Sequence, residues 1–161
     1  MATVPQCAQS FALKLYRIGD KMDRVLGFDV GDKYIGVAVS DPLGITAQGL
    51  TTIKRESNKK DYQAIGELID QYQSKRLVIG LPKNMNNSLG PQSEKVMKFA
   101  ERVKNRFKVE IIYIDERMTT MSAERILIEG NVRRENRKKY IDKLAACYIL
   151  QTYLDSRRRE V

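Results

Sequence analysis

Apolar residues form short runs in the first half of the chain and recur at helical spacing later on. The runs predict strands at Val25–Val30, at Tyr34–Ser40 and, more weakly, within residues 45–53. A tight polar turn, residues 31–33, separates the first two strands and indicates a hairpin. Two more strands are predicted at Arg76–Leu81 and over residues 109–114.

Four helices are predicted from apolar residues that share a face and from capping signals. They cover residues 61–72, residues 91–107, a segment that starts at Thr119 or Ser122 and ends at Gly130, and residues 136–156. Three strands followed by alternating helices and strands predict an α/β fold. We expect a five-stranded mixed sheet, with a three-strand antiparallel meander plus two parallel strands and helices on both faces.

The chain divides into an N-terminal extension, residues 1–21, and one domain, residues 22–161. The extension lacks the regular pattern that follows it, and we expect it to be disordered or non-native. No segment approaches the roughly 20 apolar residues that cross a bilayer, so no membrane association is expected. The two cysteines, Cys7 and Cys147, form no disulfide framework and fit a reducing compartment, which favours the cytoplasm.

The composition of the chain limits the partners it can bind and the kinds of catalytic and metal site it can form. The formal charge of +9 favours a polyanionic partner, nucleic acid before an anionic membrane surface. A basic protein with no such partner is the alternative. The chain has no histidine, which excludes Ser-His-Asp and Cys-His catalysis and zinc bound by histidine. An enzyme of this composition must use carboxylates, lysines or hydroxyls, and oxygen-bound metals suit such groups.

Acidic residues end two of the predicted strands. Asp29 lies late in an apolar strand, where it either caps the following turn or belongs to a site. Asp115 and Glu116 end the fifth strand, and ligands in α/β sheets bind at such carboxyl ends. Because side chains alternate along a strand, at most one of this pair joins Asp29, and periodicity does not say which.

Asp142 lies early in the last predicted helix, beside its apolar face. The sequence alone favours a surface ion pair with Lys138 or Lys139. A role in a site requires that the helix pack its first turns against the strand ends. Three acids from two strands and one helix would then form an oxygen site for Mg²⁺ or Mn²⁺, with two ions about 4 Å apart.

A basic stretch precedes Asp142. Its cations could bind phosphates while the nearby acid reaches a metal, or they could form a flexible solvated loop. The candidate nucleic-acid-binding residues of this stretch are Arg133, Arg134, Arg137, Lys138 and Lys139.

An ordered set of motifs spread over residues 22–154 resembles the YqgF/RuvX family of Holliday junction resolvases, also described as pre-16S rRNA nucleases. The motifs are Leu26-Gly27-Phe28-Asp29-Val30-Gly31, Ile35-Gly36-Val37-Ala38-Val39-Ser40-Asp41, Val78-Ile79-Gly80-Leu81-Pro82, Gly90-Pro91-Gln92, Asp115-Glu116-Arg117 and Asp142-Lys143-Leu144-Ala145-Ala146. Residues 84–87, Asn-Met-Asn-Asn, depart from the family's usual Asn-Met-Asp-Gly in a loop.

The resemblance implies an RNase H-like fold and metal-dependent phosphodiester hydrolysis. By motif position, the catalytic and metal-binding acids are Asp29, Glu116 and Asp142, with Mg²⁺ or Mn²⁺ as cofactor. Arg117 is implied to orient an acid or to contact phosphate. Precursor rRNA and branched DNA both remain as substrates, and the oligomeric state, monomer or homodimer, stays open. The rivals are a non-catalytic RNA-binding ribosome-assembly factor and an ATP-binding enzyme of the actin and sugar-kinase type.

Overall fold

The computed structural model describes residues 23–116 and 133–160. This part of the chain forms five strands and three helices. The strands are β1 (Val25–Val30), β2 (Tyr34–Ser40), β3 (Ala47–Lys54), β4 (Arg76–Leu81) and β5 (Glu110–Asp115). The helices are α1 (Asn58–Tyr72), α2 (Pro91–Phe107) and α3 (Arg134–Arg159).

The strands build one mixed sheet in the order β3-β2-β1-β4-β5. The first three form an antiparallel meander, and the β1–β2 hairpin is closed by a hydrogen bond from the Gly31 N–H to the Tyr34 carbonyl, 2.9 Å. β4 pairs with β1 and β5 in parallel. The predicted mixed sheet is therefore confirmed, and the carboxyl ends of β1, β4 and β5 lie at one edge of it.

Helices cover both faces of the sheet. On one face, α1 and α2 pack on the larger core, which takes alternate strand residues such as Phe28, Ile79 and Val37. On the other face, α3 packs on a smaller core through Ala146, Ile149 and neighbouring residues. This alternation fixes the side to which every strand residue points.

Small residues dominate the sheet face under α3. Gly27 in β1 meets the Leu150 side chain and the Ala146 carbonyl of the helix. Ala38 in β2 is completely buried in the smaller core. Because these residues have a small side chain or none, the backbone of α3 approaches the strands closely. The polar residues on this side of the helix therefore lie near the sheet.

The element bounds differ from the sequence predictions at four places. β5 covers residues 110–115, shifted by one from the predicted 109–114. β3 covers residues 47–54, shifted from the predicted 45–53. α1 starts three residues early, because the Ser57 hydroxyl accepts a hydrogen bond from the Lys60 N–H and caps the helix. α3 begins at Arg134, two residues before the predicted start at residue 136, and ends at Arg159, three residues after the predicted end. The alternative in which the basic stretch is a solvated loop is therefore wrong for all but Arg133. Arginine and lysine are good helix formers, and the helix extends through them without an apolar pattern.

Two predicted segments lie outside the described residues: the extension at 1–21 and the helix between Thr119 or Ser122 and Gly130. No helix in the described part of the chain combines the length and apolar character of a membrane-spanning segment.

Candidate active site

Asp29 lies near the carboxyl end of β1 and points toward α3. Its neighbours Phe28 and Val30 face the larger core, so alternation sends the Asp29 carboxyl to the opposite side. The residue is half-buried, and an ionised carboxylate in such a place is costly unless it is paired. The environment therefore favours the protonated form or a nearby cation.

Glu116 comes directly after β5 and joins Asp29. The two carboxyl groups are hydrogen-bonded to each other, with Asp29 as the donor. Glu116 Oε2 lies over Gly80 of β4, where any side chain would collide with it. Asp115 is exposed at the strand end, and its charge helps to raise the pKa of Glu116. The structure thus brings Glu116, and not Asp115, to Asp29.

Asp142 is brought to the same place by the packing of α3. Gly36 is the β2 partner of Asp29 in the sheet register. The α3 backbone passes so close above Gly36 that a side-chain carbon there would overlap the Asp142 carbonyl oxygen. Asp142 is half-buried, and its carboxylate acts electrostatically on Asp29. The helix therefore does pack its first turns against the strands, which was the condition for a role in a site.

The three acids perturb one another. Burial, which has the largest effect, and the negative charges of Glu116 and Asp142 together raise the pKa of Asp29 from 3.8 to about 8. Burial also raises the pKa of Glu116, while the hydrogen bond donated by Asp29 opposes this rise. At neutral pH, in the absence of a cation, one proton is therefore held between Asp29 and Glu116.

Two glycines shape the site, and the sequence analysis gave neither of them a role. Gly36 lets α3 approach β2, and Gly80 leaves room for the Glu116 carboxylate. The signal was present in the sequence: both glycines share the strand face of Asp29, where a buried strand normally carries bulky side chains.

A family model described as "RuvX: Holliday junction resolvase" matches residues 23–156, which is nearly all of the domain. The chain belongs to the RuvX family. The resemblance found in the motifs is thereby confirmed, and so is the prediction of a nuclease.

Curated relatives of this RuvX protein carry the name "Putative pre-16S rRNA nuclease". The protein from Thermoanaerobacter pseudethanolicus is 56% identical over 138 residues, which is 85% of this chain and 99% of the relative. The protein from Clostridium tetani is 56% identical over 133 residues, 83% of this chain and 96% of the relative.

Solved structures confirm the RNase H-like fold. Thermus thermophilus RuvC, in complex with a Holliday junction substrate, matches with a TM-score of 0.56 at 14% identity, covering 84% of this chain and 96% of RuvC. The fowlpox virus resolvase in complex with Holliday junction DNA matches with a TM-score of 0.52 at 13% identity, covering 83% and 97% of the two chains. At such low identity, the fold is the information these structures carry.

The donor chemistry of this RuvX site fits a hard divalent cation. Carboxylate oxygens are the ligands that Mg²⁺ and Mn²⁺ prefer. With the side chains as they stand, no group of three Asp, Glu or Cys residues within 23–116 and 133–160 is arranged to hold a metal. In this arrangement Asp29 and Glu116 share a proton through the hydrogen bond between their carboxyl groups. A cation would replace their shared proton and relieve the repulsion among the acids.

The predicted nucleic-acid-binding residues are described only in part. Arg133 is exposed just before α3. Arg117 lies outside the described residues. The other four, Arg134, Arg137, Lys138 and Lys139, lie in the first turns of α3, and their side chains are not described. These turns lead directly to Asp142, so the basic stretch adjoins the acids along the helix.

Proposed function

We propose that this RuvX protein is a metal-dependent endonuclease whose acids Asp29, Glu116 and Asp142 bind Mg²⁺ or Mn²⁺, most simply as two ions. One observation supports this most directly: carboxyl groups from β1, the end of β5 and α3 meet at one edge of the sheet, where burial and the charges of the other two acids raise the pKa of Asp29 to about 8. Carboxyl groups whose pKa is raised by burial and by neighbouring acids occur mainly at functional sites.

The chain's own residues set up the reaction. A bound divalent cation would supply the charge that activates the attacking water and stabilises the leaving oxygen of a phosphodiester. Asp29, Glu116 and Asp142 would hold the cation, and Asp29 would release its proton to solvent as they do so. Gly36 and Gly80 allow the acids to converge. Arg117 and the basic first turns of α3 would position the phosphates of the substrate.

We propose precursor 16S rRNA as the substrate, processed in the cytoplasm during ribosome biogenesis. The support is the name shared by relatives that are 53–56% identical over nearly their whole length. Branched DNA is the second candidate, because the family description names a Holliday junction resolvase. Nucleic acid as the class of substrate is common to both.

The mechanism is tested with Asp29→Asn. We expect Mg²⁺ or Mn²⁺ to support cleavage by the wild type, and the variant to cleave at least roughly 100-fold more slowly, because it loses a charged ligand. Binding of the substrate in EDTA should be nearly unchanged. Asp70→Asn, which changes an exposed aspartate on α1, is the matched control and should cleave normally. Equal cleavage by Asp29→Asn and the wild type would reject the mechanism and leave a non-catalytic RNA-binding factor.

The substrate is tested by giving the wild type two nucleic acids side by side. One is an RNA that spans the 5′ end of 16S rRNA and its leader, and the other is a four-way DNA junction. We expect metal-dependent cleavage of the RNA near the mature end. Cleavage of the junction alone would replace precursor rRNA with branched DNA as the proposed substrate.

A further inference from the structure

A groove of about 230 Å³ lies at the same edge of the sheet as the acids but on the opposite face. It is bounded by Val30 and Asp32 of the β1–β2 hairpin, by the start of α1 and by one side of α2. Val30 follows Asp29 directly and points to the other side of the sheet. The groove and the three acids are therefore separated only by the end of β1 and its turn.

Cations line this groove along one face of α2. Lys95, Lys98 and Arg102 recur at spacings of three and four residues, all three are exposed, and all three line the groove. Lys95 forms an ion pair with Asp32, 3.6 Å, whereas Lys98 and Arg102 have no ion pair with any described residue. Like charges at this spacing repel one another, so an anion bound between them would be stabilised from several sides.

The floor of the groove is fixed and connected to the active-site turn. Arg55 lines the groove, and its Nε donates to Asp61 Oδ2, 3.0 Å, where Asp61 is almost fully buried. The Arg55 Nη1 donates to the Gly31 carbonyl, 3.0 Å, in the turn that follows Asp29. The Arg55 side chain therefore links one wall of the groove to the hairpin that carries Asp29.

The aromatic residues of the groove favour phosphate over base recognition. The rings of Tyr62 and Phe99 stack on each other with centroids 5.6 Å apart, and both residues are more than nine-tenths buried. Their faces are thus not available to a nucleotide base. The Tyr62 hydroxyl is itself buried, so the ring and the hydroxyl both belong to the packed wall of the groove.

A larger cavity of about 790 Å³ lies at the opposite edge, near the first residues of β1, β4 and β5. Most of its cations are already compensated. The ion pairs are Lys75 with Asp23, Arg76 with Glu110 and Arg158 with Asp155. The smaller groove, with Lys98 and Arg102 uncompensated, is therefore the better site for a polyanion.

We propose that the groove between α1 and α2 binds backbone phosphates of the nucleic acid beside the segment that is cut. This inference rests on the proposed nuclease function and adds a second contact surface to the basic start of α3. Lys98 and Arg102 bind the phosphates. Arg55 connects this part of the groove to the hairpin that carries Asp29. A strand held in the groove is thereby aligned with the acids around the end of β1.

The test compares two double variants that remove the same charge from the same region. Lys98→Gln with Arg102→Gln empties the groove of its uncompensated cations. Lys104→Gln with Lys108→Gln removes two exposed cations from the end of α2 that do not line the groove. All four positions are exposed, so both proteins should fold, which circular dichroism checks. Binding to the 16S 5′-end RNA and to the four-way junction is measured in EDTA over a range of salt concentrations.

We expect the groove variant to bind at least about tenfold more weakly and the control variant to bind within about twofold of the wild type. The slope of the logarithm of the binding constant against the logarithm of the salt concentration should be less steep by about 1.5 in the groove variant. The variant loses two phosphate contacts, and each contributes roughly 0.7 to 0.9 to that slope. Equal weakening by the two variants, or an unchanged salt slope, would overturn the groove proposal.

Shortening the nucleic acid gives a second, independent measure. Trimming the probe stepwise from each side of the cut site should weaken wild-type binding once the segment in the groove is lost. The groove variant should lose much less from the same trimming, because it no longer uses that segment. Identical losses in the two proteins would also overturn the proposal. If the wild type binds neither probe, the nuclease proposal and the groove proposal both fail. If the wild type binds and cuts a probe, a negative result with the variants rejects the groove proposal alone.

Discussion

Asp29 keeps its proton in the folded chain at pH values where an exposed aspartate is ionised. Burial and the charges of Glu116 and Asp142 raise its pKa from 3.8 to about 8. Between these two values the folded chain binds the proton and the unfolded chain releases it, so stability falls as the pH rises. Without a cation, the site is therefore a source of instability near neutral pH.

Replacing Asp29 with asparagine should stabilise the metal-free protein. At pH 8 in EDTA, we expect the free energy of unfolding of Asp29→Asn to exceed that of the wild type by more than about 1 kcal/mol, because one pKa unit corresponds to about 1.4 kcal/mol. The difference should shrink as the pH falls below the ordinary aspartate pKa of 3.8, where the carboxyl becomes protonated in both states. Urea unfolding at several pH values measures it. A variant that is less stable than wild type at pH 8, or a difference independent of pH, would contradict the electrostatic account.

Helix α3 owes its position to the small residues beneath it. Gly36 is the most constrained of them, because the obstacle above it is the helix backbone at Asp142 and not a flexible side chain. Gly49 lies under the same helix, but the atoms nearest to it belong to the end of the Lys143 side chain and to Cys147. A methyl group is therefore tolerated far better at Gly49 than at Gly36.

Gly36→Ala should displace the start of α3 and carry Asp142 away from Asp29. We expect it to lose about 1–3 kcal/mol of stability from overpacking and to lose most of its cleavage rate at temperatures where it remains folded. Gly49→Ala should keep both nearly unchanged. Cleavage rates and thermal unfolding of the two variants, measured in parallel, make the comparison. Full activity in Gly36→Ala would show that the close packing of α3 does not place the third acid.

At the level of elements, the apolar pattern predicts the bounds of the strands well and the start of helix α3 less well. β1, β2 and β4 have the predicted bounds because each is a continuous apolar run ended by a turn residue. The start of α3 was predicted two residues late, because its first turn is basic and carries no apolar periodicity. The positions of Asp29 and of the Asp115–Glu116 pair at strand ends predicted them as candidates for the site. Asp142 could not be assigned from its own neighbours, because its position depends on Gly36, a residue distant in sequence.

The whole molecule combines a strongly positive chain with one cluster of acids. The net charge is +9, and the acids occupy the carboxyl edge of the sheet between the basic start of α3 on one face and the α1–α2 groove on the other. Such a field draws in a polyanion along both approaches. The cluster itself repels phosphate until a cation neutralises it, so cation binding and substrate binding are expected to favour each other.

The proposed mechanism requires that the three acids bind a divalent cation. Titration calorimetry with Mn²⁺ at pH 7, repeated in two buffers of different ionisation enthalpy, measures both the binding and the protons released. We predict that wild type binds Mn²⁺ and releases about one proton, supplied by Asp29, and that Asp29→Asn loses most of the affinity and the proton release. Wild type that binds no Mn²⁺, or an Asp29→Asn variant that binds it equally well, would contradict the account.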